Sequence, residues 1–308
     1  MPTPYAFFEG ELVPLAKANV NIMTHALHYG TAVFEGIRGN WNADDGRCYL
    51  FRVREHYQRM RKSGRIMRIS IPYTEDELLD ITVKLVAMSG YAEDIYIRPL
   101  AYKSSKVLGV RLHDLEDGFL AFVAPFGPYL DTENGIRVCT SSWRRVEDTS
   151  IPARAKVTGI YANSALAKTE AYENNYDEAV MLNDDGHVSE GSGENIFIVA
   201  DGKLLTPPSS SNILVGITRQ TIISLAHDEL GIDTLERDID RSELYTCDEC
   251  FMTGTAAHVS PVVEVDHRSV GNGKVGEITS KLISLYFDVV RGKNEKYAQW
   301  CTAVDIPG

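Results

Sequence analysis

The chain has 308 residues, 44% hydrophobic and 24% charged, a composition typical of a globular protein with one large domain or two ordinary ones. Acidic residues outnumber basic residues by 43 to 31, and the net charge of -12 argues against nucleic acid or an anionic membrane as the main partner. The N-terminus, MPTPYAFFEGELVPL, lacks the positive start and apolar run of a signal peptide, and no stretch reaches the roughly 20 apolar residues that span a bilayer.

The cysteines and the closely spaced histidines predict no metal centre. The five cysteines are scattered and odd in number, which is typical of reduced thiols in a cytoplasmic protein. Cys247 and Cys250 have CxxC spacing, but no second pair completes a zinc site. His25 and His28 in THALHYG are three residues apart, and without a nearby acid or cysteine a structural role is favoured.

The N-terminal half alternates strands and helices. AFFEGELVPL and TAVFEGIRG read as extended segments separated by glycine turns, and a basic helix is expected from Arg54 to Met67. Thr74 with Glu77 has the spacing of a capping box, so a second helix should begin there and end at Gly90. IYIRPLAY and GFLAFVAPF follow as apolar strands.

The stretch PFGPYLDTE contains two prolines and a glycine and is the best linker in the chain. It divides the sequence into residues 1–125, a linker at 126–133 and residues 134–308. The second part begins with the strand IRVCTSS and the helix NSALAKTEAYENN. It continues through Asp-Gly hairpins, a helix from Ile217 to Leu230 closed by Gly231, the strand ECFMTGTA and a last helix near Gly276–Arg291. The pattern predicts an α/β fold of two domains with mixed sheets.

One lysine and one glutamate stand in unusual surroundings. Lys156 lies among small and apolar residues in IPARAKVTGIYANS, although most lysines are solvated surface charges. Glu190 lies in the small-residue turn SEGSGENIF, which by itself is more typical of an ordinary polar turn than of a functional site. With Tyr161, they supply what a pyridoxal phosphate site needs. The lysine forms a Schiff base with the aldehyde, the carboxylate keeps the pyridine nitrogen protonated, and the phenol bonds the ring 3-oxygen.

A phosphate site is also readable. ILVGITRQTII places Gly216 before a helix whose first residues are Ile217 and Thr218, so free N–H groups face outward. FMTGTAAH offers a second small-residue turn, and Arg59 on the basic helix supplies full positive charge. The P-loop motif G-x-x-x-x-G-K-[ST] of nucleotide-binding folds, the serine elbow of hydrolases and the HExxH zinc motif are absent from the sequence.

SEGSGENIF, GITR, FMTGTAA and the lysine before GIYANS resemble the motifs of fold-type IV pyridoxal phosphate enzymes. HALHYGTAVFEGIR and YIRP are similar to those of branched-chain amino acid aminotransferases, and the resemblance runs from about residue 5 to residue 290. It implies transfer of the amino group of L-leucine, L-isoleucine or L-valine to 2-oxoglutarate by a ping-pong cycle. It also implies a homodimer, or a larger homo-oligomer, in which the partner completes the pocket.

The resemblance further implies roles for individual residues. Lys156 is the Schiff-base lysine and proton carrier, and the other cofactor-binding residues are Arg59, Tyr161, Glu190, Ile217, Thr218 and Thr255. The substrate α-carboxylate is assigned to Tyr96, Thr255 and Ala256, and the distal carboxylate of glutamate to Tyr29 and Arg98. The side-chain pocket is assigned to Phe34, Gly36, Val110, Phe126 and Tyr129.

Substrate range is the main alternative left open. Around Ser104–Asp117 the chain has Val110 followed by Arg-Leu-His where the family usually carries a proline-bearing loop, and Phe126 stands where tryptophan is frequent. Both changes lie in substrate-facing loops, so activity on (R)-amines or D-amino acids is an alternative. An aminodeoxychorismate lyase is disfavoured by YIRP, and a non-catalytic binding protein by the presence of Lys156 with Glu190.

Overall fold

The computed structural model describes residues 4–307, which form two compact units. The first unit contains residues 4–127, 155–159 and 288–307 of the described range, and the second contains residues 128–154 and 160–287. The chain thus leaves the first unit after Gly127, returns for a short segment that includes Lys156, and returns again at its C-terminal end. Each unit is therefore discontinuous in sequence.

The first unit is built on an eight-stranded sheet with the strand order β17-β5-β4-β6-β7-β1-β2, in which β3 also pairs with β6. All pairings described for this sheet are antiparallel. The strands are β1 (Tyr5–Phe8), β2 (Glu11–Pro14), β3 (Ala32–Phe34), β4 (Ile37–Asn42), β5 (Arg47–Phe51), β6 (Ile95–Lys103), β7 (Asp117–Pro125) and β17 (Cys301–Asp305).

The helices of the first unit are α1 (His25–Tyr29), α2 (Val53–Ile66) and α3 (Glu75–Ser89). The predicted capping box is present, because the Glu77 N–H donates to Thr74 Oγ1 and the Thr74 N–H donates to the Glu77 carboxylate. Gly90 ends α3 in the left-handed conformation that glycine adopts most readily. Inward-facing residues of α2 and α3 are fully buried and form part of the core, among them Tyr57, Met60, Leu78 and Leu85.

The second unit is built on a nine-stranded mixed sheet with the order β10-β9-β8-β15-β14-β11-β12-β13, in which β16 also pairs with β15. The hairpins are antiparallel, whereas β8 runs parallel to both β9 and β15, and β12 runs parallel to β13. The strands are β8 (Ile136–Thr140), β9 (Glu178–Leu182), β10 (Val188–Gly191), β11 (Asn195–Ala200), β12 (Lys203–Thr206), β13 (Thr234–Glu236), β14 (Glu249–Gly254), β15 (His258–Val265) and β16 (Arg268–Ser269).

The helices that accompany this sheet are α4 (Tyr161–Glu173), α5 (Ile217–Leu230) and α6 (Glu277–Val290). Gly231 ends α5 in the left-handed conformation, as its sequence position predicts. The strands β11 and β14 carry Phe197 and Phe251, whose rings stack in parallel with centroids 5.0 Å apart. Among residues 4–307, no helix combines the length and the hydropathy needed to cross a membrane.

The cysteines and histidines noted in the sequence are occupied by ordinary structural contacts. All five cysteines are free thiols. Burial raises the pKa of Cys247 to about 12 and that of Cys250 well above its usual value, so neither sulfur is a thiolate near neutral pH. His25 bonds Thr31 Oγ1 and the Gly109 carbonyl oxygen, both at 2.9 Å.

Candidate active site

The main chain of Lys156 is fixed on both sides within the first unit. Its N–H donates to Ser63 Oγ on α2 (3.1 Å), and its carbonyl oxygen accepts from the Phe34 N–H on β3 (3.1 Å). Its Nζ lies 5.0 Å from the centroid of the Phe34 ring. Two elements of the core hold the backbone of Lys156, so its side chain extends from a fixed position.

A buried network lies beside this lysine. Glu35 is fully buried, and its carboxylate accepts two bonds from Arg59, at 2.8 Å from Nε and 2.7 Å from Nη2, and one from His56 Nδ1 at 2.7 Å. Burial alone would raise the pKa of Glu35, but Arg59 and His56 hold that pKa well below its usual range. Burial lowers the pKa of His56 despite its bond to Glu35. The network therefore holds Arg59 rigidly through one edge of its guanidinium group.

An aromatic cluster extends from Phe34 along one side of β6. The Arg98 guanidinium carbon lies 4.6 Å from the centroid of the Phe34 ring and 5.2 Å from that of Tyr96, and Tyr96 packs against Phe126 with centroids 5.0 Å apart. A Cβ on Gly36 would lie 1.7 Å from Tyr96 Oη, so only glycine leaves room for that phenol. The structure thus brings together, in one unit, the predicted residues Lys156, Phe34, Gly36, Tyr96, Arg98 and Phe126.

Tyr29 and Val110 lie on two neighbouring segments of the first unit. The Tyr29 hydroxyl accepts a bond from the Gly109 N–H at 3.1 Å, and the Tyr29 ring packs against those of His25 and His28. Val110 is 89% exposed. These contacts hold the two segments together, and the substrate roles implied for Tyr29 and Val110 remain predictions.

Glu190, on β10, is the centre of a polar cluster in the second unit. Its Oε1 lies 2.7 Å from Arg145 Nη2, and its Oε2 accepts from Asn195 Nδ2 and the Leu214 N–H, both at 3.1 Å. Arg145 and Glu190 are both almost completely buried. Arg145 Nη1 is buried without a hydrogen-bond partner among residues 4–307. The carboxylate is therefore held in one orientation by donors from three separate segments.

The predicted anion site lies next to this cluster. Helix α5 begins at Ile217 after Gly216, and no side chain caps it, so the amides of its first turn are available to an anion. Gly216 packs closely against Asn195, whose Oδ1 would lie 2.1 Å from a Cβ at that position. Asn195 faces Thr253 on β14, and the turn that contains Thr255 and Ala256 begins directly after this strand ends at Gly254.

Glu194 follows the Gly-Ser-Gly turn after Glu190 but is turned inward. It is buried, accepts the Gly193 N–H at 3.0 Å, and packs its Cγ against the position where Gly254 lacks a side chain. Burial, reinforced by the negative charge of Glu178, raises the pKa of Glu194 to about 8. Glu194 is therefore protonated at neutral pH and braces both small-residue turns as a neutral acid.

The remaining predicted aromatic residues also belong to the second unit. Tyr161 is the first residue of α4, and Asn163 of the same turn donates to the carbonyl oxygen of Arg144, adjacent to Arg145. The Tyr129 ring lies 5.4 Å from Lys168 Nζ, which also belongs to α4. The cofactor role implied for Tyr161 and the substrate role implied for Tyr129 remain predictions.

Sequence reasoning missed several polar residues that hold the predicted ones in place. They are Glu35, His56 and Ser63 in the first unit and Arg145 and Asn195 in the second. Each of them holds a predicted site residue in place, and only Arg145 stands in a sequence pattern that could have drawn attention to it. It stands in a pair of arginines soon after a strand, in SSWRRVEDTS.

The donor set fits a phosphorylated pyridine aldehyde. The uncapped start of α5 suits a phosphate group, the buried carboxylate of Glu190 suits a protonated ring nitrogen, and Lys156 Nζ is an amine for the aldehyde. The buried Thr253 Oγ1, which has no hydrogen-bond partner among residues 4–307, lies at the second small-residue turn. The residues present therefore fit pyridoxal phosphate.

Comparison with known proteins identifies the family. Residues 32–265 match the model of the amino-transferase class IV family, so the chain belongs to the class IV aminotransferases. The chain is 50% identical to the probable branched-chain-amino-acid aminotransferase of Aquifex aeolicus over 97% of its own length and 96% of the relative. The predicted family is thereby confirmed.

Solved structures agree with this result. The branched-chain aminotransferase of Thermoproteus uzoniensis, solved with norvaline, matches with a TM-score of 0.93 and 45% identity over 98% of this chain and 99% of that one. The branched-chain amino acid aminotransferase of Thermobaculum terrenum, solved in its PLP form, matches with a TM-score of 0.93 and 37% identity over 98% and 99%. The predicted α/β class is confirmed. The mixed sheet predicted for both units is found in the second unit, whereas the first sheet is antiparallel in all its described pairings.

Proposed function

We propose that this protein is a pyridoxal phosphate-dependent transaminase that moves the amino group of branched-chain L-amino acids to 2-oxoglutarate. The observation that carries the proposal is the match of this chain to such enzymes over nearly its full length. It is supported by the presence, at the positions of the family motifs, of Lys156, Arg59, Tyr161, Glu190, Ile217, Thr218 and Thr255. The products are 2-oxo acids and L-glutamate. The free thiols are consistent with a cytoplasmic protein.

Different residues bind different parts of the cofactor. Ile217 and Thr218 present the first-turn amides of α5 to the phosphate, with Thr255 and Arg59. Glu190, oriented by Arg145 and Asn195, keeps a proton on the ring nitrogen, and Tyr161 bonds the ring 3-oxygen. When bound, pyridoxal phosphate supplies an aldehyde for the amino group and a ring that accepts the electrons released at the substrate α-carbon.

Lys156 carries the proton. Its Nζ lies 5.0 Å from the centroid of the Phe34 ring, so the amine is placed beside an aromatic side chain of the first unit. With the cofactor and substrate bound, Lys156 Nζ would take the proton from the substrate α-carbon and would later return it on the cofactor side. The fixed main chain of Lys156 gives its flexible side chain a constant starting point for both proton transfers.

The side-chain pocket must accept both an aliphatic chain and the carboxyethyl chain of glutamate. Phe34, Gly36 and Phe126 provide apolar surface, whereas Arg98 is stacked on Phe34 and Tyr96 and makes no ion pair among the described residues. Its Nε is buried without a hydrogen-bond partner there. Arg98, with Tyr29, binds the distal carboxylate, while Tyr96 and the amides of Thr255 and Ala256 bind the α-carboxylate.

Replacing Arg98 with alanine is expected to impair the glutamate half-reaction far more than the leucine half-reaction. A charge-assisted bond to the distal carboxylate is worth about 2–3 kcal/mol, so we expect a loss of about 100-fold with glutamate and less than about fivefold with leucine. Single-turnover absorbance kinetics measure each half separately. Arg47→Ala, an exposed arginine of the same sheet, serves as the control, and equal losses in the two halves would contradict the assignment.

We further propose that the protein works as a homodimer or a larger homo-oligomer. Two segments of the first unit contact each other through the bond between the His25 N–H and the Ser105 carbonyl oxygen. They expose an unusual amount of apolar surface, at Val20, Ile22, Met23, Leu27, Leu108 and Val110. This apolar patch faces a second copy, and Tyr29 and Val110 then enter the pocket of the partner subunit.

Light scattering at micromolar concentration should therefore give a mass of at least twice 34.2 kDa. The double substitution Ile22→Asp with Val110→Asp should lower that mass, because it places charges in the apolar patch. The matched control is Leu235→Asp, which charges an exposed leucine on an edge strand of the second unit. A wild-type monomer would refute the assembly.

The function itself is tested with a panel of amino donors, each supplied with 2-oxoglutarate. The panel contains L-leucine, L-valine, D-alanine and (R)-1-phenylethylamine, and the two L-amino acids should yield L-glutamate. Adding L-glutamate alone should move the visible absorbance of the holoenzyme to shorter wavelength. Turnover of D-alanine or the (R)-amine alone would show that the proposed substrate class is wrong. A protein that stays colourless with added pyridoxal phosphate would show that it is not a pyridoxal phosphate-dependent enzyme.

A further inference from the structure

Arg38, on β4, is a buried arginine that the roles above leave unused. Only 3% of its surface is exposed. Its cross-strand partner on β6 is Tyr96, which in turn lies opposite Ala124 on β7. Because side chains alternate along a strand, Arg38 shares its face of the sheet with Tyr96 and with the chain that continues from Ala124 to Phe126.

Arg38 contacts Phe126 through both main chain and side chain. Its Nη2 donates to the carbonyl oxygens of Phe126 (2.9 Å) and Gly127 (3.0 Å), and its guanidinium carbon lies 5.1 Å from the centroid of the Phe126 ring. The Asp94 carboxylate is 3.8 Å away, and the Phe126 N–H donates to the Asp94 carbonyl oxygen. Gly127 is the last residue before the chain leaves the first unit.

Arginine suits this set of contacts better than lysine does. A planar guanidinium group presents several donors in a fixed geometry and can stack on a ring at the same time, whereas a lysine ammonium is a compact charge on a flexible stem. A buried cation is costly unless its donors are satisfied, so the two carbonyl bonds also set where the main chain of Phe126 and Gly127 must lie.

The Phe126 ring held in this way forms one surface with Tyr96. The two rings pack at 5.0 Å, and Tyr96 Oη occupies the space that a side chain at Gly36 would fill. We call Tyr96 and Phe126 the aromatic wall. Arg38 holds the main chain that carries the Phe126 ring, and the Tyr96 phenol fills the space left by the missing side chain at Gly36.

We propose that Arg38 is a positioning residue that sets the substrate range by fixing the aromatic wall against which a branched aliphatic side chain packs. This inference depends on the proposed function, because the wall matters only if the substrate side chain lies against it. Arg38 itself touches neither substrate nor cofactor. Discrimination by an apolar pocket comes from close contact with each methyl group, so loosening the wall should cost long branched substrates more than short ones.

The experiment compares the wild-type holoenzyme with Arg38→Lys on two donors, L-leucine and L-2-aminobutyrate, whose ethyl side chain makes fewer contacts. For L-leucine we expect kcat/KM to fall about tenfold, chiefly through KM, and for L-2-aminobutyrate less than about twofold. Calorimetry with 4-methylvaleric acid, a branched carboxylate that does not react, should show about tenfold weaker binding. Fold-wide destabilisation would instead lower both activities together.

Arg52→Lys is the matched control, because Arg52 is also mostly buried and also stacks on an aromatic ring, that of Trp300. Phe126→Leu alters the aromatic wall directly. It should lower the ratio of kcat/KM for L-leucine to kcat/KM for L-2-aminobutyrate, as Arg38→Lys does. If Arg38→Lys does not fold, a Phe126→Leu variant with an unchanged ratio of kcat/KM for the two donors overturns the proposal. If it folds, parallel losses on both donors or unchanged binding of 4-methylvaleric acid overturn it. A wild-type enzyme inactive on both donors contradicts the proposed function instead.

Discussion

Replacing Lys156 with arginine should abolish transamination, lowering kcat/KM for L-leucine by at least about 10⁴-fold. Arginine keeps a positive charge near the Phe34 ring, where Lys156 Nζ lies now. Its guanidinium group stays protonated at any working pH and therefore cannot take the proton from the substrate α-carbon. It is also no nucleophile for an aldehyde. Borohydride reduction followed by peptide mapping should mark Lys156 in the wild-type protein and no side chain in the variant.

Lys103→Arg is the matched control, since Lys103 is another buried lysine of the first unit, with an ion pair to Asp117 and a bond to the Arg68 carbonyl oxygen. It should retain activity within a few fold of the wild type. If borohydride marked Lys103 or any other lysine, the assignment of Lys156 would be wrong. Activity in Lys156→Arg near the wild-type level would equally contradict the mechanism.

Local signals predicted the ends of the helices well because they act over a few residues. The pair Thr74 and Glu77 satisfies backbone groups of the same turn, so its spacing is sufficient to place the start of α3. Gly90 and Gly231 end α3 and α5 because the left-handed conformation needed there is cheap for glycine. The hairpins after Asp-Gly turns follow the same logic.

Which segments belong to each unit depends on contacts between residues that are far apart in the sequence. Residues 155–159 form too short a segment for any periodic pattern, and they join the first unit through bonds to Ser63, Phe34 and Gly30. The sequence offers a boundary at 126–133, near the first crossing, but no local feature shows that the chain crosses again around Lys156. Strand β17 likewise pairs with β5, which lies about 250 residues earlier.

In the candidate site, too, some positions are set by local motifs and others by contacts between distant segments. The positions of Lys156, Glu190 and the start of α5 follow from short motifs, because each motif combines small residues with a lysine, a carboxylate or the free amides of a helix start. The residues that orient them could not be found in that way. Arg145 reaches Glu190, and Glu35 reaches Arg59, only after the strands have assembled. A residue that acts through a neighbour leaves no fixed spacing in the sequence.

Glu194→Gln should stabilise the second unit at neutral and alkaline pH. The pKa of Glu194 is raised to about 8 in the folded chain, first by burial and then by Glu178, against an ordinary value of 4.5. Below pH 4.5 the acid is protonated in both folded and unfolded chains, so it has no pH-dependent effect. Between pH 4.5 and 8 the unfolded chain gives up the proton while the folded chain keeps it, and stability falls.

The expected gain from glutamine therefore grows from pH 4.5 to about 8 and is constant above. Each tenfold change in proton affinity is worth about 1.4 kcal/mol, so the gain is on the order of a few kcal/mol, or about 5 °C or more in Tm. Glutamine keeps an oxygen to accept the Gly193 N–H, which Glu194 accepts at 3.0 Å. The charged groups that act on Glu194 are Glu178, Lys168 and Glu190, and the substitution leaves all three in place.

Thermal unfolding of the holoenzyme at about pH 5 and about pH 8.5, on either side of the Glu194 transition, checks this expectation. The matched control is Glu277→Gln, which removes an exposed carboxylate of the same unit that pairs with Lys281. The Lys281 bond lowers the pKa of Glu277, so that variant should lose a little stability at the higher pH rather than gain it. If Glu194→Gln unfolded earlier than the wild type at the higher pH, Glu194 would be a buried anion that the fold requires, and the neutral brace beneath the two turns would be excluded.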